Sequence, residues 1–182
     1  MRYASIRKMD ISNGESIGTS LFVQGCHFHC KNCFNKDTWD FEGGKEWTDD
    51  VKEKFLRLVE PSHIKRISIL GGEPLANENL EDVLELAKEI RLSYPEKTIW
   101  LYSGYTWEQV MNPVVTSDFN SERDKLLQMR SDIVKKCDVF VDGRYEESKR
   151  DVTYRWAGST NQRVIDVKRT LDKGSVVLWE SQ

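Results

Sequence analysis

Three of the four cysteines in this 182-residue chain lie on one short stretch, and their spacing limits what the surrounding chain can fold into. Cys26, Cys30 and Cys33 form a C-x3-C-x2-C pattern directly after an apolar run. Three thiols this close cannot all pair as disulfides within the chain, whereas thiolates bind zinc, Cu(I) or iron–sulfur clusters. A [4Fe–4S] cluster is normally held by four cysteines. Three would leave one iron with an open coordination position, where a ligand can bind and react.

A zinc site is the alternative, with His27 or His29 as the fourth ligand. Structural zinc sites usually combine two separated ligand pairs, and this chain has no second C-x2-C pair and no H-x3–5-H pair. The pattern therefore favours a cluster, and the two histidines are interpreted as loop residues near it. The fourth cysteine, Cys137, falls on the apolar side of a predicted helix and is interpreted as an inert buried thiol.

Length and composition indicate one globular domain over residues 1–182. The net charge of −3 gives no sign of a polyanion-binding surface, so no nucleic-acid partner is expected. No signal peptide is visible and no apolar run approaches the length of a membrane span, so no membrane association is expected. Free cysteines are typical of reducing compartments, which predicts a cytoplasmic protein.

Strand-like and helix-like segments alternate along the chain. Apolar runs rich in β-branched residues predict strands, and apolar residues three and four positions apart predict helices. Such alternation is typical of α/β proteins, in which right-handed helical crossovers join parallel strands. A closed eight-stranded barrel takes about 250 residues. The expected fold is therefore an open, partial parallel β/α barrel of about five or six units.

The segments behind this expectation are as follows. Strands are predicted at 20–24, 67–70, 98–102 and 138–141, with a strand or the start of a tail at 164–167 and a last strand at 176–179. Helices are predicted from a Thr48 cap to about residue 59, at 79–93, for a short stretch after Thr106, and at 121–136. Residues 1–20, 113–120 and 146–163 are expected to be irregular.

Four unusual segments follow the predicted strands. They are the cysteine loop, 71–73, 103–105 and 142–144. In parallel sheets, ligands bind beyond the carboxyl ends of the strands. We therefore expect these four segments to share one rim and to form a binding site there.

The residues around the cysteines resemble those of a known family. C-x3-C-x2-C is the cluster signature of radical S-adenosylmethionine (SAM) enzymes. With residues 33–35 and 38–39, and matches at 71–75, 103–105 and 159–162, the chain resembles one branch, the activating proteins of anaerobic ribonucleoside-triphosphate reductase. The resemblance implies a fold of the radical SAM type, with a fourth iron chelated by the amino and carboxylate groups of SAM. The other three irons would be held by Cys26, Cys30 and Cys33.

Residues 71–73 have a physical interpretation of their own. Gly71 and Gly72 let backbone carbonyls approach a ligand closely, and Glu73 adds a carboxylate beside them. This acceptor-rich rim suits an ammonium group, and in the family this run holds the amino group of SAM. The alternative is a plain strand-to-helix turn with a solvated glutamate.

The resemblance implies further contacts with SAM. Adenine would lie against the backbone around the third cysteine, although Phe34 could instead simply pack in the core. Asp142 would be either a polar contact to the cofactor or a turn residue. The other residues expected to contact SAM are Asn32, Cys33, Phe34, Ser103 and Gly104.

Two segments compare differently with the family. Residues 13–18 lack the proline and the arginine of an Asn-Gly-Pro-Gly-x-Arg-like run that family members often carry, which puts any role of that arginine in doubt. Residues 158–162 resemble a Gly-Ser-x-Asn-Gln run near the carboxyl end of the family, for which the sequence suggests no role.

The activity implied by the resemblance is that of a radical SAM oxidoreductase acting on another enzyme. An electron from flavodoxin or ferredoxin would reduce the cluster, SAM would be cleaved, and the 5′-deoxyadenosyl radical would create a glycyl radical on the large subunit of the anaerobic reductase. The alternatives are activation of another glycyl-radical enzyme such as pyruvate formate-lyase, a small-molecule radical SAM synthase, or a zinc-binding interaction module.

Overall fold

The computed structural model describes residues 1–112 and 122–180. Its strands are Arg2–Asp10 (β1), Gly18–Val23 (β2), Lys45–Glu46 (β3), Arg66–Gly71 (β4), Thr98–Tyr102 (β5), Val139–Asp142 (β6) and Arg163–Asp166 (β7). Its α-helices are Asp49–Val59 (α1), Leu80–Ser93 (α2), Trp107–Met111 (α3), Glu122–Lys136 (α4) and Val167–Lys173 (α5). Short 3₁₀ turns occur at Lys36–Thr38, Asn77–Asn79 and Glu147–Lys149.

The strands of the described residues form one open sheet in the order β3-β1-β2-β4-β5-β6-β7. The four central strands β2, β4, β5 and β6 are parallel to one another. The outer strands β1, β3 and β7 run antiparallel. The expected open α/β architecture is therefore confirmed, whereas the expectation of a purely parallel sheet is wrong at both edges.

The two faces of the sheet are covered differently. Ile99, Leu101 and Phe140 pack on one face in a core shared with helix residues such as Phe55 and Ile133. The alternate residues form a second cluster of Trp100, Val139, Val141 and Val164, packed against Trp156 and Trp179, and this cluster contains no described helical residue. Because side chains alternate between the faces of a strand, the helices leave one face to loops. We call this the inner face.

The helix starts follow the predicted capping chemistry. The Thr48 hydroxyl accepts a hydrogen bond from the Val51 N–H at 3.4 Å, at the start of α1. Thr106 and Gln109 form a reciprocal capping box at the start of α3. Helix α4 is described from Glu122 onward. The irregular segment predicted at 113–120 and the helix start predicted at residue 121 lie outside the described residues.

The two ends of the chain depart from the sequence predictions. Residues 2–10, predicted to be irregular, form the long strand β1, and both β3 and α5 went unpredicted. The strand predicted at 164–167 is confirmed as β7, although it is antiparallel. The strand predicted at 176–179 is wrong, since only an isolated bridge joins Leu178 to Ile165. In the parts of the chain that are described, no helix is both long and apolar enough to cross a membrane.

Candidate functional site

A cavity of about 680 Å³ lies at the carboxyl ends of the parallel strands, on the inner face. All four segments that the sequence predicted to share one rim contribute to its wall. The predicted site residues in the wall are Cys26, Cys30, Cys33, Phe34, Gly71, Gly72, Glu73, Ser103 and Gly104. The predicted convergence of these segments is therefore confirmed.

The cysteine loop, residues 25–35, leaves the end of β2 through a turn that requires glycine. Gly25 has a φ of +93°, and a Cβ there would lie 2.1 Å from the ring of Phe41. Inside the loop, the Cys33 N–H donates to the Cys30 carbonyl at 3.1 Å. The Cys33 sulfur accepts a hydrogen bond from the Asn35 N–H at 3.4 Å. The start of the loop is also held by backbone hydrogen bonds, since the Gly25 and Cys26 N–H groups donate to the Thr38 and Trp39 carbonyls at 2.8 and 3.0 Å.

The three thiols differ in exposure but open to the same cavity. Cys26 is buried, Cys30 and Cys33 are partly exposed, and all three are free. Burial raises the pKa of the Cys26 thiol to about 11, although the backbone N–H of Phe28 lowers it. Burial and the neighbouring Cys33 raise the pKa of Cys30. A metal centre binds thiolate and so would have to displace these protons. Within residues 1–112 and 122–180, no group of three or more His, Cys, Asp or Glu side chains is arranged to hold a single metal ion.

Both histidines of the loop are held by aromatic neighbours. The His27 ring lies 4.3 Å from the ring of Phe41, and its Nε2 lies 2.9 Å from a carboxylate oxygen of Glu78. The His29 ring stacks on Trp39 with 4.6 Å between centroids. These contacts support the interpretation of both histidines as loop residues rather than ligands.

Residues 71–73 are linked by backbone hydrogen bonds to the end of β2 and the start of the cysteine loop. The Gly72 N–H donates to the Val23 carbonyl at 2.9 Å, and the Glu73 N–H donates to the Gly25 carbonyl at 2.7 Å. A Cβ on Gly72 would lie 2.4 Å from the Gly25 carbonyl oxygen, so this approach requires glycine. Gly71 has a φ of +106°, which also favours glycine. The glycine pair thus fixes the separation of two segments of the rim.

The Glu73 carboxylate at the rim accepts three hydrogen bonds. Its Oε1 accepts hydrogen bonds from the Ser103 hydroxyl at 2.7 Å and the Leu75 N–H at 2.8 Å, and its Oε2 accepts one from the Gly104 N–H at 2.8 Å. Burial raises the pKa of Glu73 to about 7, against these hydrogen bonds, which lower it. The alternative of a solvated glutamate is therefore wrong, since Glu73 is 2% exposed.

Two predicted contact residues are absent from the cavity wall. Asp142 is 1% exposed, and its carboxylate accepts hydrogen bonds from the Trp107 N–H at 2.7 Å and from Arg163 Nε at 3.0 Å. Asn32 sits in a left-handed turn with a φ of +55°. The wall next to Asp142 is formed instead by Gly143, Arg144 and Tyr145. Direct contact of Asp142 or Asn32 with a cofactor stays a prediction.

Sequence reasoning missed one large part of the wall. Residues 151–158 all line the cavity, in a loop closed by a bridge between Arg150 and Ser159. The sequence predicted only an irregular charged segment there, because a loop gives no periodic pattern. Arg7, which lies over the Phe22 ring at 4.6 Å, also lines the cavity, and the predicted turns of residues 1–20 gave no sign of it.

Three cysteines of one loop that open into one cavity, at the edge of an open α/β sheet, offer the thiolate ligands of an iron–sulfur protein. In agreement, residues 12–165 match the family model described as a 4Fe-4S single cluster domain. The chain is 32% identical to the anaerobic ribonucleoside-triphosphate reductase-activating protein of Vibrio cholerae serotype O1, over 89% of this chain and 96% of that protein. The activating proteins of Escherichia coli K12 and of enterobacteria phage T4 are also 32% identical, over 90% of this chain and 97% and 93% of their own lengths. The chain belongs to the family of anaerobic ribonucleoside-triphosphate reductase-activating proteins.

Proposed function

We propose that this chain is the radical SAM activase of an anaerobic ribonucleoside-triphosphate reductase, and that Cys26, Cys30 and Cys33 hold a [4Fe–4S] cluster. The observation that carries the proposal is the opening of three cysteines into one cavity beside residues 71–73, in a chain of this family. The donor set fits the cluster, since thiolates are its usual ligands. When bound, the cluster and SAM supply reductive cleavage of a carbon–sulfur bond and removal of a hydrogen atom from a glycine of the reductase.

The rim residues orient the cofactor. Backbone carbonyls of Gly71 and Gly72, with the carboxylate of Glu73, would accept hydrogen bonds from the amino group of SAM. Ser103 and Gly104 hold Glu73 in place, since both donate to its carboxylate. Backbone around Asn32 and Phe34 would lie against the adenine.

The protein substrate enters the same cavity from its open side. The hydrogen donor must come within a few Å of the reactive carbon. A loop of the reductase would therefore enter the cavity and lie beside residues 151–158, which form part of its wall. No side chain of this chain acts as general acid or base in the proposal. Flavodoxin or ferredoxin would supply the electron, and the free thiols, which are typical of reducing compartments, support a reaction in the cytoplasm.

The test is anaerobic reconstitution with iron and sulfide, followed by assay of SAM cleavage and of the glycyl radical on the reductase by EPR. Wild-type protein is expected to bind about four iron atoms and to cleave SAM under a strong reductant. Cys30→Ala should lose both properties. Cys137→Ala is the matched control, because its sulfur is buried and hydrogen-bonded to the Ile133 carbonyl at 3.2 Å.

Full SAM cleavage by the Cys30 variant would contradict the proposal. The choice of protein substrate is tested separately by offering the anaerobic reductase and a pyruvate formate-lyase-type enzyme in parallel. A glycyl radical formed only on the second enzyme would replace the proposed partner while leaving the cluster chemistry intact. A colourless protein with zinc and no iron would support the binding-module alternative instead.

A further inference from the structure

Residues 158–162, to which the sequence assigned no role, bind the loop that follows β6. We call this segment the strap. The Gln162 side chain donates from Nε2 to the Gly143 carbonyl at 2.9 Å. The Asn161 side chain donates from Nδ2 to the Arg144 carbonyl at 2.8 Å. The backbone N–H of Glu146 donates to the Ser159 hydroxyl at 3.1 Å. Three polar contacts therefore bind the strap to residues 143–146.

The strap is itself held in one shape by Gln162. Its Oε1 accepts hydrogen bonds from the Gly158 N–H at 2.9 Å and the Ser159 N–H at 3.2 Å. Ser159 is fully buried. The Gln162 oxygen thus closes the strap, and its nitrogen donates to Gly143. A substitution that removes only one of these atoms can separate the two contacts.

The loop held by the strap contacts the cysteine loop through aromatic rings. The Arg144 guanidinium lies 4.3 Å from the centroid of the Phe28 ring, and the Tyr145 ring lies 5.2 Å from that of Phe34. A Cβ on Gly158 would lie 3.0 Å from the Tyr145 ring and 3.2 Å from the Phe34 ring, so the strap also packs on these rings directly. Phe28 falls between the first two cysteines and Phe34 follows the third.

The same loop brings a positive charge to the cysteine loop, because the Arg144 guanidinium lies over the ring of Phe28, which falls between Cys26 and Cys30 in the sequence. Arg144 and Cys30 also line the same cavity. Hydrogen bonds to the sulfurs and nearby charge are two of the factors that set the reduction potential of an iron–sulfur cluster.

We propose that Asn161 and Gln162 are positioning residues that hold the 143–145 loop against the cysteine loop and thereby set the reduction potential of the cluster. This inference rests on the proposed function, because it takes Cys30 as a cluster ligand. A reduced cluster would carry one more negative charge, so loosening the Arg144 guanidinium beside it would disfavour reduction. The expected shift is toward a more negative potential.

The test compares Asn161→Ala, Gln162→Ala and Gln162→Glu with Thr160→Ala. The glutamate variant keeps an acceptor for Gly158 and Ser159 but loses the donor to Gly143. Because it also adds a negative charge at the cavity wall, its exchange rates test the link, and the neutral Gln162→Ala and Asn161→Ala variants test the potential. Thr160 is the matched control, because its side chain is exposed and its backbone N–H donates to the Lys149 carbonyl. Three readouts are used: hydrogen exchange of the cluster-free protein, the cluster midpoint potential, and the EPR signal of the reduced cluster with and without SAM.

In the three strap variants, amides of 143–145 and 28–34 should exchange faster than in the control, and iron content should be retained. Their midpoint potential should be more negative, the EPR response to SAM weaker, and SAM cleavage about tenfold slower, as is usual when a partner of a metal ligand is removed. Exchange equal to that of the control, or an unchanged potential, would overturn the inference. Wild-type protein that takes up no cluster would overturn the proposed function instead, while hydrogen exchange would still report on the strap.

Discussion

At the scale of single residues, Glu73 shows how one side chain joins two parts of the rim. It is a buried acid with three hydrogen-bond donors from the segments that follow β4 and β5. Hydrogen bonds favour its ionised form, yet burial is the larger effect and raises its pKa to about 7 from 4.5. An acid whose pKa is higher in the folded state binds more protons there than in the unfolded state between these two values. Folding stability must therefore fall as pH rises through that range.

We expect the free energy of unfolding of the cluster-free protein to decrease by about 2 kcal/mol between pH 5 and pH 7.5 through Glu73. Glu73→Gln has no titrating group at this position, so its stability should lack this component, although the amide also loses the Gly104 contact. Urea denaturation of both proteins at the two pH values measures the difference. Parallel pH profiles for the two proteins would show that Glu73 is ionised throughout this range.

Gly72 allows a second prediction at this scale. Its Cβ would meet a backbone oxygen, which cannot move aside as a flexible side chain can. Gly72→Ala should destabilise the protein by about 2 kcal/mol through overpacking and should reduce the iron bound after reconstitution. Gly174→Ala is the control: its φ of +71° adds strain, but no atom lies within 4 Å of the new Cβ. Normal iron content in the Gly72 variant would contradict the close approach of the two segments.

At the scale of secondary structure elements, β4 supplies a side chain that fills the space beside Gly18 of the neighbouring strand β2. Arg66 is fully buried, with its Nη2 on the Asp10 carbonyl at 2.7 Å and the Asp10 carboxylate at 3.1 Å. A Cβ on Gly18 would lie 2.5 Å from Arg66 Nε. In this chain the space beyond Gly18 is thus occupied by a guanidinium from β4.

Asp10 connects this buried pair to the cavity. Its carboxylate accepts hydrogen bonds from the Ser12 and Asn13 N–H groups at 2.8 and 2.9 Å, and both residues line the cavity. Arg66→Met should cost about 3 kcal/mol of stability, because it leaves the buried Asp10 charge with only the mostly exposed Arg7, at 3.7 Å, as an ion-pair partner. Arg66→Met with Asp10→Asn should recover part of this loss. Chemical denaturation measures both, and equal stability of the single and double variants would argue against a charge effect.

At the scale of the whole molecule, the sequence predicted the centre of the sheet and missed its edges. Strands β2, β4, β5 and β6 are apolar runs buried on both faces, and the amphipathic helices between them have clear periodicity, so local pattern was sufficient. Strand β1 alternates with charged, exposed positions and carries no such run. Its pairing is settled by contacts with β2 and β3, which a local pattern does not contain.

The candidate site likewise contains parts that the local sequence pattern predicted and parts that it did not. The cysteine loop, 71–73 and 103–104 were predictable because each follows a buried strand, and the carboxyl ends of parallel strands meet at one edge. The 151–158 wall and the strap depend on contacts between loops, such as that of Gln162 with Gly143, which have no periodic signal. The carboxylate of Asp142 is likewise used by Trp107 and Arg163, through a pairing set only by the fold.

The inner face is closed by segments from both ends of the chain, and Trp179 is where they meet. Its indole N–H donates to the Glu15 carboxylate at 2.9 Å, its ring lies 5.7 Å from that of Trp100, and its backbone N–H donates to the Val164 carbonyl. Trp179→Ala should therefore cost about 2 kcal/mol of stability, less than a fully buried tryptophan, because the ring is half-buried.

The substitution should also affect the N-terminal segment, which is distant in sequence but contacts Trp179 through Glu15. Amides of 11–17 should exchange faster in the Trp179→Ala protein, because Glu15 loses its partner and the Trp100 cluster loses one ring. Leu178→Ala provides the control, since Leu178 is 51% exposed and lies next to the same backbone. Hydrogen exchange followed by mass spectrometry measures the effect. If 11–17 exchanged equally in both variants, the N-terminal loop would be held by its other contacts, such as those of the Ser68 hydroxyl with the Asn13 carbonyl and of the Lys65 N–H with the Ile17 carbonyl. The two ends of the chain would then be independent in closing the inner face.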